Sequence, residues 1–144
     1  MKNKLNCVLL IDDDKTTNTL NEMVIRKSGL AHEVKAVKNG IEALKYLKSG
    51  ENGNHPKPDL VFLDINMPGM DGWEFMEEYC KLEEKYQANV IVVMLTTSLN
   101  PDDREKALEL TGLDDFMNKP LVRDQFRDLI KKNFPELAEE MKEG

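Results

Sequence analysis

Three short apolar runs constrain this chain most: "VLLI" at residues 8–11, "LVFL" at 60–63 and "VIVVML" at 90–95. Each is continuous rather than alternating, which predicts strands buried on both faces. The intervening stretches have helical spacing. Residues 14–28 place Leu20 and Val24 one turn apart and stop at Gly29, a predicted C-cap. "HEVKAV" alternates and predicts an edge strand with one wet face. "NGIEALKYLKSG" predicts a helix carrying Ile41, Leu44 and Leu47 on one side and closed by Gly50. "DGWEFMEEYCKLEEKY" predicts a helix burying Phe75, Met76 and Tyr79. "NPDDREKALELTG" opens with Asn100 as cap and Pro101 in the first turn, and closes at Gly112. "DDFMNK" is the fifth strand, and "VRDQFRDLIKKNF" the fifth helix, with Phe126, Ile130 and Phe134 four residues apart. Strands alternating with helices in this way imply an α/β chain: a parallel sheet with helices on both faces.

At 144 residues the chain is read as one domain, 1–144, with a core over about 5–133 and a short tail over 134–144. The net charge of −7 argues against a nucleic-acid surface and against an anionic membrane as partner. The longest apolar run is too short to span a bilayer, and the basic start runs into aspartates rather than a cleavage site. Cys7 and Cys80 lack metal or redox spacing and are expected to be reduced thiols of a cytoplasmic protein, a disulfide between them being the lesser reading. Met23, Met76, Met94 and Met117 are expected in the core, Trp73 in packing or at a partly exposed surface, and His32 and His55 receive no role.

In doubly wound sheets the working site lies beyond the C-terminal ends of the strands. Those ends carry Asp12, Asp13 and Asp14, then Asp64, Ile65 and Asn66, then Thr96, Thr97 and Ser98, then Asn118, Lys119 and Pro120. Asp14 sits where an N-cap belongs. Asp12 and Asp13 end a buried strand, where two carboxylates 4 Å apart repel by roughly 4 kcal/mol at an effective dielectric near 20. A cation relieves that repulsion. Oxygen ligands without nitrogen or sulfur suit magnesium rather than zinc. A lysine and a threonine hydroxyl beside the acids suit a phosphoryl group, and a carboxylate can itself be the nucleophile.

"VLLIDDDK", "KNGIEAL", "LVFLDINMPGMDG", "MLTTS" and "DDFMNKP" stand in an order and at a spacing that resemble the receiver domain of bacterial response regulators, over about residues 5–133. The resemblance implies a flavodoxin-like, doubly wound α/β fold: a five-stranded parallel sheet in the order 2-1-3-4-5 with five helices on both faces. It implies Asp64 as phosphoacceptor for a phosphohistidine carried by a histidine kinase or histidine phosphotransfer protein. It also implies Mg2+, with Mn2+ as a substitute, held by Asp13 and Asp64 directly, by Asp12 mostly through water, and by the Asn66 backbone carbonyl. Thr96 and Phe116 become the switch residues, and Lys119 pairs with Asp64 at rest, aimed inward by a cis peptide between Lys119 and Pro120. Thr97 follows the switch threonine where a smaller residue is frequent in the family.

These features lead to a stand-alone receiver, not an enzyme on other substrates, with no output domain. It is expected to be a monomer or weak homodimer that acts through an unidentified downstream protein. Two rivals remain. An aspartyl phosphatase needs a second acid two residues after the nucleophile, where Asn66 stands. A receiver-like adaptor working without phosphorylation would be expected to have lost an acid or the lysine, and neither is lost.

Overall fold

The computed structural model describes residues 5–50, 56, 58–86, 91–96, 100–109, 115–119 and 121–134. Five strands, β1 (Leu5–Ile11), β2 (Ala31–Val37), β3 (Leu60–Leu63), β4 (Ile91–Thr96) and β5 (Asp115–Asn118), alternate with five helices. The helices are α1 (Lys15–Ser28), α2 (Gly40–Lys48), α3 (Gly72–Cys80), α4 (Pro101–Glu109) and α5 (Arg123–Asn133). The sheet runs β2-β1-β3-β4-β5, and every pair is parallel. This is the doubly wound order expected from the sequence.

The continuous apolar runs are explained by which face each residue serves. Val8 and Leu10, Leu60 and Phe62, and Val93 and Leu95 join Ile25 of α1 and Phe126, Leu129 and Ile130 of α5 in one core. Their neighbours Leu9 and Ile11, Val61 and Leu63, and Met94 join Ala43 and Leu47, Phe75, Met76 and Tyr79, and Ala107 in the other. Side chains alternate across a strand, so a strand covered on both faces has no position left for a polar residue. β2 lies at the edge, buries Val34 and Val37 and exposes His32, Glu33 and Lys35.

Local signals set most helix ends. Asp14 caps α1 by accepting from the Thr16 N–H at 3.0 Å, and Gly29 closes it in the left-handed region at φ 71°. Asn39 caps α2 through the Glu42 N–H at 2.8 Å, and Asp71 and Glu74 form a reciprocal capping box on α3.

Three expectations need correction. The buried face of α1 is Asn18, Asn21 and Ile25, while Leu20 is 55% and Met23 46% exposed. In α2, Ala43 and Leu47 point inward and Ile41 is 51% exposed. The third helix stops at Cys80; a 3-10 turn, Glu84–Tyr86, follows it. There the Lys81 N–H bonds the Glu78 carbonyl and the Leu82 N–H the Tyr79 carbonyl, a tightening that ends the helix before the charged "LEEK". Gly112, Thr97, Ser98, His55 and the cis peptide at Pro120 lie outside the described residues. The two cysteines form no disulfide; Cys7 is buried in β1 and Cys80 exposed at the end of α3. Trp73 is half-buried, with the Lys106 ammonium of α4 4.5 Å from its ring centroid.

Gly72 opens α3 against the turn that follows β3. A Cβ there would lie 2.5 Å from the Asp64 carbonyl oxygen and 2.8 Å from the Ile65 Cα, both backbone atoms that cannot swing aside. Gly72→Ala is expected to destabilise the fold by about 2 kcal/mol and lower Tm by about 5 °C, read by thermal unfolding. A thiol reagent applied to the native protein should modify Cys80 rapidly and Cys7 only after unfolding, which a two-step mass titration would show.

Candidate acidic site

Register assembles the site. Ile11 pairs with Leu63, and the Asp64 N–H bonds the Ile11 carbonyl at 3.0 Å, so Asp12 and Asp64 leave adjacent strands at one level. Leu63 pairs with Met94, which puts Thr96 one residue beyond that level. Thr96 pairs with Asn118, and the Lys119 N–H bonds the Thr96 carbonyl at 2.7 Å. Lys119 thus starts two strands away from Asp64, and only a long side chain crosses that gap.

It crosses with an unexpected bias. The Lys119 ammonium makes its short contact with Asp12 Oδ2 and stands 3.3 Å from Asp64 Oδ1. The resting partner is therefore Asp12 first and Asp64 second, because the two carboxylates are level and the ammonium reaches both. Asp12 is 4% exposed, Asp64 6% and Thr96 0%. Asp13 and Asn66 are exposed at the rim. Phe116 is buried in the core shared with α3, so its ring already points inward in this structure.

Burial first, and the Asp12 charge second, push the Asp64 carboxyl above the ordinary carboxylate range against the opposing pull of Lys119. Burial alone would lower Lys119, but the hydrogen bond and charge of Asp12, then of Asp64, outweigh it and leave the ammonium above its usual value. The pocket is short of positive charge. Asp12, Asp13 and Asp64 offer carboxylate oxygens within 4.8 Å of one another, with one lysine among them. An all-oxygen set of this compactness and excess charge fits a small hard divalent cation.

The sequence reading did not single out Asn18 and Asn21. Asn18 lies under the first strand's end and donates from Nδ2 to the Asp12 carbonyl at 2.8 Å and the Val37 carbonyl at 3.4 Å. The signal available was their spacing with Ile25, at 18, 21 and 25, which is a helix stripe in its own right.

Among the described residues, no helix is long and apolar enough to cross a membrane. The chain is 36% identical over 104 residues to the response regulator Rcp1 of Synechocystis sp., covering 72% of this chain and 69% of that one. It also matches the hybrid signal transduction histidine kinase L of Dictyostelium discoideum at 30% identity, spanning only 7% of that protein's length. A two-component response regulator from Cytophaga hutchinsonii superposes with a TM-score of 0.76 at 33% identity, over 90% of this chain and 96% of that one. The Mn2+-bound form of response regulator Rcp1 superposes with a TM-score of 0.69 at 31% identity, over 88% and 92%. The sequence profile of the response regulator receiver domain matches residues 8–131. With that match over most of the chain, and acids and lysine gathered at the strand ends, this protein belongs to the response regulator receiver domain family of two-component signalling.

Proposed function

We propose that this receiver accepts a phosphoryl group on Asp64 from a phosphohistidine of a histidine kinase or histidine phosphotransfer protein. The reaction depends on magnesium, and it either switches a protein-interaction surface or relays the phosphate. The observation that carries this reading is the Lys119 ammonium set between two buried carboxylates, with a third at the rim. An Asp64 carboxylate oxygen attacks phosphorus, the P–O bond forms as the P–N bond to the donor breaks, and the imidazole leaves with a proton from solvent. Lys119 then exchanges part of its carboxylate contact for a phosphoryl oxygen. Thr96, on the same side of the sheet's end, offers its hydroxyl to another. Asp12, Asp13, Asp64 and the Asn66 carbonyl would hold Mg2+, with Mn2+ as substitute, and the ion supplies neutralising charge to the transferred group. The binding of Mn2+ by the related Rcp1 structure supports that choice. Phe116 is buried beside Met94, the residue two before Thr96, so a movement of Thr96 would reach β5 through packing.

Two measurements test the reading. Intact mass after incubation with a small phosphoramidate should show one added phosphoryl group in wild type with Mg2+, and none without it or in Asp64→Asn. No gain under any condition in folded protein would favour an adaptor that works without phosphorylation. Gain surviving in Asp64→Asn would move the acceptor elsewhere.

The second measurement uses stability. Because folding raises the Asp64 pKa, the contribution of its carboxyl is fully present below the ordinary carboxylate value and is lost as pH rises through the raised one. In chelator at about pH 7, Asp64→Asn should therefore raise Tm by about 3 °C, the order expected of about 1 kcal/mol in a chain of this size. The gain should vanish at about pH 3, where both forms are neutral. Added Mg2+ should stabilise wild type and leave Asp64→Asn nearly unmoved.

A further inference from the structure

Beneath the acid pair lies a cavity of about 10 Å³ lined by Asn18, Asn21, Asp12 and Asp64 above the apolar Phe62 and Leu95. Asn18 and Asn21 are 7% and 5% exposed. Two carbonyl oxygens, of Asp12 and Val37, face the Asn18 amide on one side, which requires its NH2 group there and fixes which way the amide is turned. Its other atom, Oδ1, is buried and has no hydrogen-bond partner among the described residues. An unsatisfied buried acceptor is costly and demands a donor. The cavity is at the lower limit for one water molecule and offers the polar partners that such a water needs.

We propose that Asn18 is a positioning residue of the phosphoryl-acceptor site, acting from below through one ordered water. Nδ2 ties the Asp12 carbonyl, and with it the turn carrying Asp12 and Asp13, to β2. Oδ1 accepts one hydrogen of a water that gives its other hydrogen to a carboxylate oxygen of the acid pair. The Asn21 amide, one turn along α1, can donate to the same water. The Asp12 carboxylate already accepts the Asp14 N–H at 2.9 Å and meets Lys119, so its orientation is set from above and from the side. Asn18 adds the constraint from beneath. The role of Asn18 in positioning ligands for a cation rests on the function proposed above; the water does not.

Crystals of the full chain, refined far enough to show ordered water, test the water directly. Wild type should show one density peak about 2.7–3.2 Å from Asn18 Oδ1 and within the same reach of an Asp64 or Asp12 oxygen. Asn18→Leu, of the same branched shape but without polar atoms, should show none. A dry cavity in wild type, or a peak unchanged in Asn18→Leu, overturns the water.

Mn2+ titration followed by the free-ion paramagnetic resonance signal tests the positioning. Asn18→Leu should weaken Kd by about tenfold, the effect of about one lost hydrogen bond. Leu129→Ala, a buried change in α5 away from the acids, should lower stability yet keep the wild-type Kd. An unchanged Kd in Asn18→Leu, or an equal loss in Leu129→Ala, overturns the positioning role. Should Asn18→Leu not fold, Asn18→Ser serves in both arms: too short for the Asp12 carbonyl, it should weaken Kd, and a wild-type Kd there overturns the role. Failure of wild type to bind Mn2+ would count against the proposed function and against Asn18 as positioner, leaving the water to the crystals.

Discussion

One ammonium between two buried carboxylates holds the ends of three strands in relation to one another. Asp12 follows β1, Asp64 follows β3 and Lys119 follows β5, with β4 and Thr96 lying in between. A buried ion pair of this kind adds little net stability, because desolvation offsets most of the attraction. Its contribution is specification. Without the lysine, two level carboxylates would face each other in a poorly solvated pocket, and the turn after β1 would have reason to splay. With it, the pocket still carries more negative than positive charge, an imbalance that a small hard divalent cation would relieve.

The strand layout was legible because each central strand carries an unbroken apolar run, Cys7–Ile11, Leu60–Leu63 and Ile91–Leu95, as a sheet covered on both faces requires. The acids and the lysine were legible for a related reason: a charged residue directly after such a run must stand at the sheet's end. Helix orientation was harder. In α1 the apolar Leu20 and Met23 face outward, while Asn18 and Asn21 face the sheet. The expected stripe holds at Val24, which packs against the core, and fails at Leu20 because the helix start lies at the strand ends, where the Asp12 and Val37 carbonyls take the Asn18 amide. The preference of Lys119 for Asp12 was also hidden. It depends on where a flexible side chain ends after crossing β4, which no spacing in the chain encodes.

The two cores divide the helices unequally. α1 and α5 share one face, anchored by Ile25, Phe126, Leu129 and Ile130. On the other face α2 and α3 contribute Ala43, Leu47, Phe75, Met76 and Tyr79, whereas α4 contributes Ala107. Among the described side chains of α4, Ala107 alone is buried, and most of the rest meet solvent. The Lys106 ammonium of α4 also lies over the Trp73 ring, an interaction of modest strength at a partly exposed site.

On one side of Asp64, Gly72 brings the backbone of α3 so close to the Asp64 carbonyl that not even a methyl group fits between them. On that side α3 has no room to slide toward the turn after β3. On the other side, beyond β4, α4 buries Ala107 alone among its described side chains. A displacement at the acid pocket would therefore meet a closed backbone contact on the α3 side.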